Sequence, residues 1–403
     1  MKIWVIGTLD TKWVEVGFIA NQIRTAGHEP IIIDPGSSGV PGMRADVPRQ
    51  EVSDAGGESY DDLLNRNEKA HSQDVMRSGL SKIIATEYEQ GNLDAVIAVG
   101  GGQGTATATA AMRLLPFGVP KVMVSTVACG KTPFGPYVGT SDMTMIHSVA
   151  DIAGLNFITR KVISQATAAV IAMAGAVEEE ARSDKPLVAV TQTGVTTPGT
   201  MVVKTALENY GFEVVVFHGN GVGGEAMEDF IQQGTIKGVI DYSPHEVTDL
   251  LFDGLMPAHQ GRMTAAGEMG IPQIVVPGCA DIRLHEWSEI PEELADRPYL
   301  RHTPTHTHFR TTYREMYAVG SYIAEHLNAG KGKRAAIVPA RGFSMMNREG
   351  MPLYDGQANM GYIDALMEKL NDDVLFLSRD MHINDAAFAE EVVKVFMQLW
   401  QES

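Results

Sequence analysis

Cysteine is nearly absent from the sequence: 403 residues contain two, Cys129 and Cys279. No disulfide framework can be built from such a pair, so packing must hold the chain together, and the composition points to a reducing, cytoplasmic setting. Basic charge is also scarce. Lys and Arg number 32 against 50 Asp and Glu, a formal net charge of -18 with no basic stripe. That balance excludes a sequence-independent grip on nucleic acid, which needs clustered cations to displace counterions from phosphates. Long apolar runs are missing as well. The longest, residues 166–177, is too short to cross a hydrocarbon layer that takes about 20 residues, so no membrane span is expected. The opening MKIWVIGT reads as a strand rather than a secretory leader.

What is present is 44% hydrophobic content, arranged as short strand-like runs alternating with helix-like runs. This grammar predicts an α/β fold of two Rossmann-like subdomains, each a mainly parallel sheet covered by helices on both faces. Strands are expected at 3–6, 30–33, 95–99 and 121–125, then at 187–190, 213–217, 238–241, 273–276, 335–338 and 374–377. Residues 34–57, rich in Gly, Pro, Ser and Asp, read as a long surface excursion of the kind that forms lids. The charged stretch VEEEARSDKP at 177–186 divides the chain into expected domains 1–182 and 183–403.

The segment DAVIAVGGGQGTATATAAM, residues 94–112, carries the most specific signal. A buried-type strand runs into Gly100, Gly101, Gly102 and Gly104, and Thr105 is expected to open a helix. Free amides and the positive dipole end at such a start favour a phosphate or carboxylate. Ligands of open α/β sheets sit beyond the carboxyl ends of strands, so Thr8, Asp10, Thr11 and Lys12 after the first strand are expected to form the facing wall. Ser125, Thr126 and Gly130 after the fourth add to it, and all face a cleft between the halves. STVACGKT at 125–132 departs from a Walker A loop, because Pro133, Gly135, Pro136 and Gly139 cannot sustain the helix that motif needs.

Other residues carry two readings. Ser243-Pro244-His245-Glu246 fits a helix start with Ser243 and Glu246 as a capping box, while Glu246 is also a candidate general base. Arg310, followed by Thr311 and Thr312, is a candidate anion clamp or a surface ion-pair partner. Asp142 and Asp10 are the carboxylates suited to a magnesium ion bridging phosphates. His302, His306 and His308, with Asp281, His285 and Glu286 upstream, have spacing compatible with a metal site, though polar surface is the commoner meaning of such a loop.

Several stretches together resemble one family: GTLDTKWVE from Gly7, AVGGGQGTATATAAMRLLPFGVPKVMVSTVA from Ala98, YVGTSDMTMIHSVADIAGLN from Tyr137, PHEVTDLLFDG from Pro244, AAGEMGIPQIVVPG from Ala265, FRTTYRE from Phe309 and HINDAAFAE from His382. They are similar to the N-terminal ATP-binding domain of the tomato mosaic virus resistance protein family and its uncharacterised bacterial relatives. The resemblance implies two Rossmann-like subdomains, ATP binding with the glycine loop as phosphate cradle, and self-association as a homodimer. This sequence departs from the family pattern at Cys129-Gly130-Lys131, at His302-Thr303-Pro304 and at DIRLHEW, residues 281–287, and the last two departures put a different ligand in play near the histidines.

The expectation is therefore a cytoplasmic protein that binds ATP or a related phosphorylated small molecule, with Asp142 holding magnesium and Arg310 neutralising charge if phosphoryl transfer occurs. The competing expectation is an enzyme acting on a small carboxylate or sugar acid, with Glu246 or a histidine as general base and a divalent metal.

Overall fold

The computed structural model describes residues 1–129, 135–176 and 184–403. The chain divides into two compact units, Met1–Ala181 and Arg182–Ser403.

In the N-terminal unit the elements run β1 (Lys2–Ile6), α1 (Trp13–Thr25), β2 (Glu29–Ile33), α2 (Arg49–Gly56), α3 (Tyr60–Arg66), α4 (Lys69–Glu89), β3 (Ala95–Gly100), α5 (Gly102–Met112), β4 (Lys121–Ser125), α6 (Gly135–Val138), β5 (Thr144–His147) and α7 (Phe157–Gly175). The five strands form one parallel sheet in the order β2-β1-β3-β4-β5. Alternation along each strand sends side chains to opposite faces. Ile3, Val5, Ile97 and Val99 pack with Val16, Ile19 and Ile163 on one face, while Trp4, Ile6, Val96 and Ala98 pack with Leu80, Ile84 and Ala108 on the other. A central strand buried on both faces accounts for the unbroken apolar run AVIAVG of β3.

Residues 34–57 differ from the expected irregular excursion. Their last part is helix α2, and the fully buried Arg49 pins the rest: its Nε donates to Asp34 Oδ2 at 2.8 Å, and its Nη1 to the carbonyls of Ser38 and Gly39 at 2.7 and 3.0 Å. A charge enclosed at this depth must be paired, and the pairing organises a stretch that has no periodicity of its own.

The C-terminal unit runs β6 (Leu187–Gln192), α8 (Thr197–Asn209), β7 (Glu213–His218), α9 (Val222–Gln232), β8 (Ile236–Asp241), α10 (His245–Leu251), α11 (Ala265–Met269), β9 (Gln273–Val275), β10 (Ile282–Glu286), β11 (Tyr299–Arg301), β12 (His306–Arg310), α12 (Tyr313–Ala329), β13 (Arg334–Pro339), α13 (Gly356–Lys369), β14 (Leu375–Arg379) and α14 (Ala386–Gln401). Six strands form a parallel sheet in the order β14-β13-β9-β8-β6-β7. The amphipathic α14 lays Phe388, Val392, Val395, Phe396 and Leu399 against it.

Between β9 and α12 lies a small antiparallel sheet, β10-β12-β11, absent from the sequence-based expectation. Its strands read RLHE and HTHFR, polar enough to pass for loop, and only their mutual pairing makes them strands. Among the described residues no helix is long and apolar enough to cross a membrane.

Candidate functional site

Each parallel sheet has one place where the chain, having added a strand on one side, returns to add the next on the other. In the N-terminal unit it lies between β1 and β3, and in the C-terminal unit between β6 and β8. Loops leaving adjacent strands diverge there and leave a crevice, the usual ligand position of such sheets.

At the first crevice β3 runs directly into α5. The helix opens at Gly102, three residues before the expected Thr105, because Thr105 N already donates to Gly101 O at 2.8 Å. Gly101 is the extended N-cap and has no side chain to satisfy the first-turn amides. The loop is backed by two fully buried hydroxyls: Ser125 Oγ lies 2.6 Å from Thr105 Oγ1 and accepts from Val127 N at 3.1 Å. This corrects the expectation that Ser125 and Thr105 meet a ligand, since they fasten β4 to α5 from behind. Thr126 remains at the surface of the loop, 3.6 Å from where a Cβ on Gly101 would sit.

After β1, the Thr8 and Thr11 hydroxyls bond one another at 3.1 Å, and the Lys12 ammonium donates to the carbonyl of Ile152. Lys12 is thus committed to the approach to α7 rather than free to seek a phosphate. Asp10 has an enclosed Oδ1 with no hydrogen-bond partner. Gly130 lies outside the described residues.

Asp142, expected to hold magnesium, is already engaged by the protein itself. Its Oδ1 pairs with the fully buried Lys121 ammonium at 2.7 Å and its Oδ2 accepts from Gly118 N at 2.9 Å. Burial lowers the Lys121 pKa against the pull of Asp142. Asp142→Asn should therefore destabilise the N-terminal unit by about 2 kcal/mol in urea unfolding and leave its metal content unchanged; an unaltered midpoint would show the pair to be dispensable.

Glu246 and Arg310 are likewise structural. Helix α10 begins at His245, and the expected capping box is absent: Ser243 Oγ bonds Thr196 Oγ1 at 2.6 Å instead. Glu246 is fully buried, with Oε2 accepting from Gly221 N and Oε1 from Arg262 Nε, both at 2.5 Å. Burial raises its pKa, opposed by Arg262. Arg262 also reaches Glu228 at 3.0 Å and Asp241 at 2.6 Å, so three carboxylates surround one enclosed guanidinium. Arg310 is buried too. Its Nη1 donates to Thr311 Oγ1 at 2.6 Å and its Nη2 to Asn359 Oδ1 at 2.6 Å and Asp355 O at 3.0 Å, which ties β12 to the start of α13. Both side chains are thus bound to partners within the C-terminal unit, with Arg310 Nε left without one.

The second crevice holds a cavity of 280 Å³. The loop after β6 contributes Thr193, Gly194 and Val195, the end of β7 contributes His218 and Gly219, α10 contributes His245, and the small sheet contributes Ile282, Leu284, His306 and His308. His302 and His308 stack with ring centroids 4.6 Å apart. The loops after β6 and β7 and the histidine cluster thus share one cavity, but among the described residues no group of three or more His, Cys, Asp or Glu is placed to hold a metal ion.

Burial alone would lower the pKa of His245, yet Asp249, helped by the Cys279 carbonyl, carries it up to about 9. Burial and the neighbouring His302 and His245 push His308 down to about 3. Cys279, buried and close to Asp281, is held well above the ordinary thiol range and is not a thiolate nucleophile. No sequence motif marked His245 or Cys279 as wall residues, because neither lies in a recognisable spacing with the histidines of β12.

Comparison with known proteins covers both units. Residues 1–179 match the family model described as uncharacterised protein family (UPF0261) N-terminal domain, and residues 185–400 match its C-terminal domain. A UPF0261 protein of Clostridium tetani (strain Massachusetts / E88) is 39% identical over 403 residues, 100% of this chain and 99% of that protein. One from Rhizobium meliloti (strain 1021) is 35% identical over 99% of each. The ToMV susceptible protein tm-1(GCR26) of Solanum lycopersicum is 31% identical over 100% of this chain, which spans 56% of that longer protein. Among solved structures, the UDP-GlcNAc 2-epimerase from Neisseria meningitidis bound to UDP-GlcNAc aligns at a TM-score of 0.27 and 9% identity, over 68% of this chain and 82% of that one. A likeness that slight carries no argument about ligand.

Proposed function

Because the chain belongs to the uncharacterised UPF0261 family through both of its domains, we propose that its N-terminal unit binds ATP or a related phosphorylated small molecule at the loop joining β3 to α5. One observation carries this reading. A Cβ added at Gly101, Gly102 or Gly104 would meet nothing closer than 3.6, 3.8 and 4.0 Å respectively, and none of the three has a left-handed φ. Neither packing nor backbone geometry demands glycine at these positions, although Gly inside a helix costs up to about 1 kcal/mol relative to Ala. Gly100 is different, since its Cβ would press on Gly104 Cα at 3.0 Å.

What remains to explain the other three is a partner from outside the chain that comes close to the main chain. Phosphate oxygens accept from the first-turn amides of α5 in that way, helped by the helix dipole. Asp10, with its unpartnered Oδ1, sits after the neighbouring strand and would take a ribose hydroxyl or a cation carried in with the phosphates. Asp142 is already paired, so the residues described do not by themselves build a magnesium site. Self-association as a homodimer belongs to the same reading and is checked by sedimentation at several protein concentrations.

The test is equilibrium binding of an ATP analogue to the full chain and to Gly102→Val and Gly104→Val. Binding should fall at least tenfold while thermal stability changes by less than about 1 kcal/mol, because the added Cβ meets its neighbours only at ordinary contact distance. Full affinity in both variants would remove the cradle.

A further inference from the structure

We propose that the C-terminal unit holds a second ligand site: its cavity takes the carboxylate of a small organic acid, held by the main-chain amides of Gly194 and Val195 and by the His308 imidazole.

Three observations converge. The first is the main chain. Thr193 and Thr196 cap each other, Thr193 N donating to Thr196 Oγ1 at 3.2 Å and Thr196 N to Thr193 O at 3.1 Å. This cap uses the amides of Thr193 and Thr196 and neither that of Gly194 nor that of Val195, and Gly194 and Val195, the first two residues of the turn that runs into α8, both line the cavity. Two such donors side by side suit the two oxygens of a carboxylate.

The second is His308. It is 8% exposed, lines the cavity, and its Nδ1 has no hydrogen-bond partner. An enclosed imidazole nitrogen without a partner is costly unless something that enters the cavity supplies one. Its flank is already occupied by the stacked His302 ring.

The third is the sign of the wall. Among the described residues no Asp, Glu, Lys or Arg lines the cavity. His245 Nδ1 lies 3.1 Å from the Cys279 carbonyl and its Nε2 lies 3.4 Å from Asp249 Oδ2. Both neighbours are acceptors, so both ring nitrogens carry hydrogen and the ring is cationic, in keeping with its raised pKa. Asp249 is held in turn by the amides of Leu284 and Met256 at 3.1 and 2.9 Å. The cationic ring is the member of this pair that lines the cavity, so an entering anion meets positive charge first. Met256, Ile282 and Leu284 supply an apolar surface for the hydrocarbon part. The volume, at the lower end for small-molecule sites, suits a compact acid better than a nucleotide.

The experiment titrates the full chain with lactate, malate and citrate, and with inorganic phosphate, by calorimetry, and follows the histidine ring nitrogens by NMR. Saturable binding of at least one carboxylate is expected, with shifts at His308 and His245, and a loss of about tenfold or more in His308→Phe, which keeps ring shape and removes both nitrogens. His71→Phe, in the N-terminal unit, should bind as the unaltered chain does. If His308→Phe does not fold, the ring-nitrogen shifts in the unaltered chain decide the matter. Binding of phosphate alone, the absence of any saturable binding, unmoved His308 resonances, or full affinity in a folded His308→Phe would each overturn the proposal. Gly102→Val should keep carboxylate binding while losing the nucleotide analogue, so failure of one site is distinguishable from failure of the other.

Discussion

Arg262→Met is expected to destabilise the C-terminal unit by about 3 to 5 kcal/mol at pH 7, the range found when one partner of a buried ion pair is removed. The reason is the ratio of charges. Glu228, Asp241 and Glu246 converge on a single guanidinium with none of it exposed; Glu228 also accepts from the amides of Met263 and Ala265, Glu246 from that of Gly221, and Asp241 from the Thr191 hydroxyl. Without Arg262 the three carboxylates have no cation, and burial, which already raises the Glu246 pKa against the pull of Arg262, then drives that carboxyl toward the neutral form unopposed. The penalty should therefore shrink as pH falls from 7 to 5, because protonation removes the unpaired charge. A volume defect alone would give a loss independent of pH. Urea unfolding followed by hydrogen exchange of β8 and β9 amides reads both quantities, and a loss below about 1 kcal/mol would show that the cluster is not what holds these loops. Glu246→Gln should cost less than Arg262→Met, since an amide still accepts from Gly221 and leaves two carboxylates to pair with the arginine. A general base would show the opposite pattern, with stability intact and turnover lost.

The second large effect is a dependence on pH. The folded pKa of His245, about 9, lies above its ordinary 6.5. A raised basic group contributes its full stabilisation below pH 6.5 and loses it as pH rises through 9. A tenfold change in proton affinity is worth about 1.4 kcal/mol, so the contribution lost across that window is of the order of 3 kcal/mol. His308 acts at the other end. Its pKa, lowered to about 3, means that below pH 6.5 the unfolded chain takes up a proton the folded one refuses, so stability falls toward acid. The C-terminal unit should be most stable near pH 6.5. His245→Gln should flatten the alkaline side and leave the acid side in place; denaturation midpoints at pH 6.5, 7.5 and 8.5 check this, and an equal slope in the variant would assign the decline to other groups.

The residues that mislead at the level of sequence do so for a common reason. In the sequence Asp142 falls in the segment after β4, Glu246 in the segment after β8 and Arg310 at the end of β12, and segments that follow strands are where ligands of parallel sheets sit. Each is instead taken up by a partner distant in the chain: Arg262 for Glu246, Asn359 for Arg310, Lys121 for Asp142. Ser125 and Thr105 belong to the same class, two hydroxyls 20 positions apart that find each other behind the loop. A one-dimensional pattern identifies the chemical type of a side chain but not whether its capacity is already filled.

The α/β class, the parallel strands buried on both faces, the glycine loop and the family membership were all determined by the sequence alone, because hydrophobic period, helix punctuation and runs of glycine are local properties of consecutive residues. Tertiary structure alone decided that Gly101, Gly102 and Gly104 have room for a Cβ while Gly100 does not, and that β10, β11 and β12 pair at all. It alone placed His245, Cys279 and His308 around one cavity. Those outcomes depend on distances between segments tens of residues apart, which are set when the sheets close their cores and are not encoded in any stretch short enough to read as a motif.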